Sequence, residues 1–204
     1  MRAAMARLAA AVIALIAWAG LAIQFGATHA TGLSAPETLW VLLRFFTIVT
    51  NLLVAATMSA IALGRMPSPA WIGGLTLAIL LVGIVYLTLL RGLVALSGAG
   101  LLADRLLHYV TPVLLPLWWL TYAPKGLLGW RDPLIWALYP LAYFLYAIVR
   151  GLADGKYPYP FIDVAELGWT SVIVNAVLIA AGFMLAGLGL VALDRRLGRR
   201  NAGS

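Results

Sequence analysis

The sequence predicts an all-α integral membrane protein, a single bundle of six transmembrane helices over residues 1–204. Three observations carry that expectation. Of the 204 residues, 64% are hydrophobic and 10% are charged, where a soluble domain carries about 25% charged residues. The apolar residues gather in six stretches, each at or above the ~17-residue lower limit for a helical crossing. None of them shows the ~10-residue alternating segments of a membrane β-barrel, and a lipid-embedded backbone must otherwise satisfy its hydrogen bonds within a helix. This composition excludes a soluble globular enzyme, a disordered tail and a collagen-like chain.

The first helix is expected near 8–27, after Met1-Arg2 and Arg7. A basic start before an apolar run also suits a signal peptide. No clean A-x-A site follows, so the segment reads as an uncleaved helix. Ser34-Ala35-Pro36-Glu37 has the form of a capping box and opens a second helix near 35–63. Gly64-Arg65-Met66-Pro67-Ser68-Pro69 is a tight turn before a third helix near 70–90. A fourth, near 104–122, ends at Ala123-Pro124-Lys125-Gly126. The fifth and sixth are expected near 133–150 and 166–193. Arg-Gly-Leu follows the third helix at Arg91 and the fifth at Arg150. A cation in the last turn with glycine after it marks a helix C-terminus.

Charge sets the expected orientation. With six spans, Arg2, Arg7, Arg65, Lys125, Arg131, Arg195, Arg196, Arg199 and Arg200 share one side with both termini. The other side holds Arg44, Arg91, Arg105, Arg150 and Lys156. Basic residues favour the cytoplasmic face, so both termini are expected in the cytoplasm, in a bacterial host at the inner membrane. The net charge of +7 is read the same way, and no nucleic-acid partner is expected. Seven of the eight tryptophans fall near helix ends, as in interfacial belts, and only Trp18 lies mid-span. Ala10, Ala14 and Ala17, and the pair Gly182 and Ala186, are expected to mark close helix packing.

Chemistry is narrowed by what is missing. There is no cysteine, hence no disulfide, thiol nucleophile or cysteine-ligated metal. Two histidines and seven scattered carboxylates give no metal cage, and neither HExxH nor a phosphate-binding loop is present. No cofactor is expected.

Polar groups inside spans are costly and therefore informative. Arg44, Thr47 and Asn51 have the i, i+3, i+7 spacing of one helix face, with Thr50 on its edge. Asp104, His108 and Thr111 share a face of the fourth helix, and Asn175 is the buried amide of the sixth. In the expected topology the faces of helices two and four sit in the outer half of the bilayer, implying a polar pocket between them, and helix six starts on the same side. Each has a bland reading too. A membrane threonine commonly bonds its own helix, arginine snorkels, and asparagine joins helices. Thr47 and His108 nevertheless lie at similar depth. A neutral imidazole there can take the hydroxyl proton of a threonine attacking a carbonyl. Asn51 or Arg44 could donate to the tetrahedral intermediate. Arg44, Asn51, Thr111 and Asn175 are the expected substrate-binding residues beside Thr47 and His108.

Arg44-Phe45-Phe46-Thr47-Ile48-Val49-Thr50-Asn51, Leu107-His108-Tyr109-Val110-Thr111-Pro112 and Tyr157-Pro158-Tyr159-Pro160-Phe161-Ile162-Asp163 resemble the bacterial six-pass branch of the androgen-induced gene family. So do Ala123-Pro124-Lys125-Gly126, Trp130-Arg131-Asp132 and Leu138-Tyr139-Pro140. The resemblance to animal members is thinner, resting on Phe46-Thr47, the segment from His108 to Pro116, and Tyr159-Pro160-Phe161. Those animal proteins are multi-pass hydrolases of fatty acid esters of hydroxy fatty acids, with a threonine nucleophile and a histidine. The resemblance implies Thr47 as nucleophile and His108 as base, with membrane lipids as surroundings and a lipid ester as substrate. Thr50-Asn51 and the residues just after His108 depart from the animal pattern. Two other readings stand beside a threonine-dependent lipid ester hydrolase. One is a non-enzymatic lipid- or small-molecule-binding or transport protein. The other is an assembly subunit of a membrane complex.

Overall fold

A computed structural model describes residues 1–202, with side chains described through residue 200. It is helical throughout, with no strand among the described residues. The elements are α1 (Arg2–His29), α2 (Ala35–Leu42), α3 (Phe46–Ala62), α4 (Pro69–Val85), α5 (Gly98–Arg105), α6 (Thr111–Tyr122), α7 (Asp132–Asp154) and α8 (Val164–Ala202). Two π segments, Tyr86–Leu90 and Leu106–Val110, extend α4 and join α5 to α6. A 3-10 turn, Pro160–Ile162, precedes α8. The chain divides into two compact units, Met1–Pro124 and the remainder from Lys125.

Among the described residues, four helical runs are long and apolar enough to cross a membrane: Arg2–His29, Pro69–Leu90, Asp132–Asp154 and Val164–Arg200. The pair α2 and α3 makes a fifth if a bent pair counts as one span. The sequence predicts six; the remaining one, near 104–122, is built from α5, a π turn and α6 rather than one unbroken α-helix.

The expected second helix, continuous over 35–63, is corrected most. It breaks at Leu43-Arg44-Phe45, and the halves are bent by 99°. Phe45 is extended (φ −94°, ψ 129°), which restarts the helix at Phe46. No proline or glycine marks the break. Thr47 and Asn51 keep their i, i+4 relation on α3, but Arg44 is not on that face. Ser34 caps α2 through Glu37, whose Oε2 accepts from the Ser34 N–H at 2.8 Å and its hydroxyl at 2.6 Å. At α4 the Ser68 hydroxyl accepts from the Trp71 N–H at 3.2 Å, with Pro69 as the first helical residue, where a missing N–H costs nothing.

In the first unit α1 packs along α3 with the expected small face: Ala10, Ala14 and Ala17 are buried. Gly20 lies against Leu107, and Gly83 against Pro112. These two glycines let α1 and α4 approach the segment that carries His108. Indole N–H groups tie helices together: Trp18 to the Ser59 hydroxyl, Trp71 to the Thr57 hydroxyl, and Trp118 to the Ala6 carbonyl.

In the second unit Ala147, Ile148, Ile162 and Val172 form a core flanked by Tyr143, Phe144, Tyr157, Tyr159 and Phe161. Helix α7 does not stop at Arg150, as the Arg-Gly-Leu signal suggests. It runs through Gly151 to Asp154 and ends on Gly155 in the left-handed region (φ 68°). Gly151 instead makes room for the Tyr157 ring. Gly168 (φ 72°, ψ 161°) interrupts α8 after its first turn. Gly182 and Ala186 are exposed and do not mediate packing within the second unit.

Candidate functional site

The site is assembled in the first unit from α3, the end of α4, and the α5–α6 run. Its backbone is set by Pro112. In the π segment the Thr111 N–H bonds the Leu106 carbonyl, five residues back. The next nitrogen in that register belongs to Pro112 and carries no hydrogen. The Leu107 carbonyl is therefore left without a backbone donor, and a buried carbonyl must find one elsewhere. It accepts from Asn51 Nδ2 at 3.3 Å and from the Thr111 hydroxyl at 3.2 Å. Asn51 Nδ2 also donates to the Thr47 carbonyl at 2.9 Å, and Asn51 Oδ1 accepts from the Thr111 hydroxyl at 2.6 Å. Asn51 and Thr111 are both fully buried. This network fastens α3 to the π turn that holds His108.

One consequence is the alignment of the expected dyad. Thr47 Oγ1 lies 3.1 Å from His108 Nε2. Thr47 is buried, and the His108 side chain retains 18% of its exposure. On the other edge of the ring, His108 Nδ1 lies 2.9 Å from Asp104 Oδ1, one turn earlier. That contact is close enough for a hydrogen bond but is not aligned as one. Catalytic hydrogen bonds are commonly misaligned before substrate binds. Asp104 Oδ2 accepts from the Tyr86 hydroxyl at 2.7 Å. The Tyr86 ring stacks on His108, with centroids 4.1 Å apart and planes 18° apart, and meets Tyr109 edge-on at 5.4 Å.

The arrangement thus holds a hydroxyl, an imidazole and a carboxylate in series. A carboxylate at Nδ1 favours the proton on that nitrogen, which leaves the Nε2 lone pair facing the Thr47 hydroxyl. Thr47 is also the second residue of α3, at the positive end of the helix dipole. Positive potential therefore gathers at the hydroxyl.

Of the residues expected from sequence, Thr47, His108, Asn51 and Thr111 come together. Asn51 and Thr111 lie behind the dyad; both Asn51 amide hydrogens already have protein acceptors. Arg44 is buried at the break before α3, not reaching out as a snorkelling side chain would. Asn175 belongs to the second unit, where its amide donates to the Phe161 carbonyl at 2.9 Å. Tyr86 is the residue that sequence reasoning passes over, and Asp104 is seen there only as a helix-end acid beside His108. Among the described residues no group of three or more histidines and carboxylates is placed to hold a metal ion. No protein-family model, curated protein or solved structure matches the chain.

Proposed function

We propose that the chain is an intramembrane hydrolase of lipid esters, with Thr47 as nucleophile, His108 as base and Asp104 orienting the imidazole. The observation that carries this reading is the series Thr47 Oγ1 to His108 Nε2 at 3.1 Å and His108 Nδ1 to Asp104 Oδ1 at 2.9 Å. The resemblance of the segments around Thr47 and His108 to a family with lipid hydrolases supports the substrate class. An ester of a hydroxy fatty acid with a fatty acid is the first candidate.

The Thr47 oxygen attacks the ester carbonyl carbon as its proton passes to His108 Nε2. The carbonyl oxygen becomes an oxyanion near the positive N-terminal end of the α3 dipole, with the Arg44 charge three residues before the nucleophile. Collapse breaks the bond to the alcohol oxygen, which takes the proton from Nε2. Water then attacks the acyl-threonine and gives its proton to Nε2. The fatty acid leaves, and the proton returns to the Thr47 oxygen.

In this reading the chain spans the membrane six times, with both termini in the cytoplasm, at a bacterial inner membrane. The site then faces the outer leaflet, and the acyl chains lie among the helices. A fluorophosphonate probe tests the chemistry, since it captures activated hydroxyls. Wild type in detergent should label, Thr47→Ala should not, and Thr47→Ser should retain part of the labelling. A folded Thr47→Ala protein that labels or cleaves esters like wild type removes the nucleophile assignment. The assembly-subunit reading draws on the exposed Gly182 and Ala186 of α8, a pair that favours close helix contact. It gains if folded wild type neither labels nor cleaves any lipid ester.

A further inference from the structure

An imidazole that works between a hydroxyl and a carboxylate has two problems of its own. Its ring can rotate out of line, and its proton can settle on either nitrogen. Packing from α3 does not solve either, because Asn51 and Thr111 secure the backbone behind His108 and not its ring. The carboxylate partner is free to turn about its own bond unless its second oxygen is held.

Tyr86 touches both problem groups at once. Its ring lies against the face of His108 at 4.1 Å and nearly parallel to it. Its hydroxyl donates to the Asp104 oxygen that His108 does not use, at 2.7 Å. Tyr109 closes on the edge of the Tyr86 ring. Tyr86 opens its own π segment, in which the Arg91 N–H reaches back five residues to the Tyr86 carbonyl. π turns are rare and concentrate at functional sites; here one carries the imidazole and the other the ring stacked on it.

Building on the hydrolase reading, we propose that Tyr86 is a positioning residue. Its ring fixes the plane of His108, and its hydroxyl fixes the Asp104 carboxylate. Together they hold the imidazole in the Nδ1-protonated tautomer, whose Nε2 accepts from Thr47. A second contribution follows during reaction: an aromatic face favours a cation stacked on it, so Tyr86 stabilises the imidazolium that forms as Thr47 attacks.

Two measurements test this. The first needs no activity. Nitrogen-15 NMR of histidine-labelled protein, in a His29→Asn background so that His108 alone reports, reads the tautomer at about pH 8.5, above the ordinary imidazole range. Wild type should show one tautomer, protonated at Nδ1. Tyr86→Leu should show a mixture, and Tyr86→Phe, which keeps the ring, should fall between. The second is the fluorophosphonate reaction, resolved into a maximal rate and a half-saturating probe concentration. The maximal rate should fall about 10-fold in Tyr86→Phe and about 100-fold in Tyr86→Leu, as misplacement of a catalytic group does. The half-saturating concentration should stay within about 2-fold of wild type, because Tyr86 acts on the base and not on the probe.

A folded Tyr86→Leu protein with a single Nδ1-protonated tautomer overturns the proposal. If that variant does not fold, Tyr86→Phe decides it: a wild-type tautomer and rate overturn the hydroxyl's role. If the tautomer depends on Tyr86 but wild type never labels, the positioning stands and the hydrolase reading falls.

Discussion

Asn51 donates to the Leu107 carbonyl, an oxygen that the π turn and Pro112 together leave without a backbone partner. A side chain on one helix thereby completes the backbone of another, next to the residue that the site depends on. Geometry at His108 is a property of this junction and not of one helix alone.

Removing that side chain should therefore cost stability and alignment together. In Asn51→Leu the Leu107 carbonyl keeps only the Thr111 hydroxyl, and that hydroxyl loses its second acceptor. A buried polar group left short of partners costs about 1–3 kcal/mol, at the lower end in a membrane, where the unfolded reference also finds partners. Thermal unfolding in detergent should show the loss. Fluorophosphonate labelling should fall in parallel; an unchanged rate would mean that the α3 junction does not align the dyad.

Pro112→Ala should separate stability from alignment. The new N–H can bond the His108 carbonyl, four residues back, which favours ordinary α-helical register through the π turn. The melting temperature should hold or rise, while a shift of about 1 Å at His108 lowers labelling by about 100-fold. Equal labelling with a straightened helix would detach the site from the π turn.

The two glycines at the junction should differ. A Cβ at Gly83 would lie 2.9 Å from Pro112 Cβ, part of a rigid ring. A Cβ at Gly20 would lie 2.8 Å from the Cδ2 of Leu107, the end of a flexible side chain. Overpacking costs about 1–3 kcal/mol where neighbours cannot move, against about 1 kcal/mol gained by alanine over glycine within a helix. Gly83→Ala should be destabilising in thermal melts and Gly20→Ala less so, though the Leu106 Cβ at 3.1 Å must also give way there. The reverse order would mean that α6 yields more easily than the Leu107 side chain.

How much of this the sequence shows depends on the signal each feature leaves. Apolar runs mark the helices, and the Ser34–Glu37 cap and the Pro69 start are written in local residue types. Thr47 and His108 are legible because polar groups inside apolar runs stand out. The break at Leu43-Arg44-Phe45 leaves no such mark, since nothing there is glycine or proline, and the i, i+3 spacing of Arg44 and Thr47 misleads. Asn51 and Thr111 are found, but spacing cannot show that their hydrogen bonds are used up on each other and on the Thr47 and Leu107 carbonyls. Tyr86 is hidden for a different reason: a tyrosine near the end of a span looks like any interfacial aromatic, and its stack on His108 is made by tertiary packing.

Orientation in the membrane can be read with cysteines, because the chain has none of its own. Ser97 and Met66 are exposed in loops on opposite sides of the expected topology. Ser97→Cys should react with a membrane-impermeant maleimide in intact cells, and Met66→Cys only after lysis. The opposite pattern would place the site on the cytoplasmic side and reverse the argument from basic residues.

The most searching test of the series falls on Asp104. The Asp104→Asn side chain keeps nearly the same shape and can still accept from Tyr86, so the bundle should fold with a melting temperature close to wild type. Its charge is gone, and its amide can present hydrogens to Nδ1 where the carboxylate presented only an acceptor. The imidazole proton then moves to Nε2, pointing at Thr47, and the base can no longer receive the hydroxyl proton. General-base help is worth about 10²–10⁴-fold, so labelling should fall by that order while Thr47→Ser, with base and carboxylate intact, falls less. His108→Ala combined with Asp104→Asn should be little worse than either alone, because the two act as one unit. If Asp104→Asn is folded and labels within about 2-fold of wild type, the carboxylate is an ordinary helix-end residue, and the reaction, if present, rests on Thr47 and His108 alone.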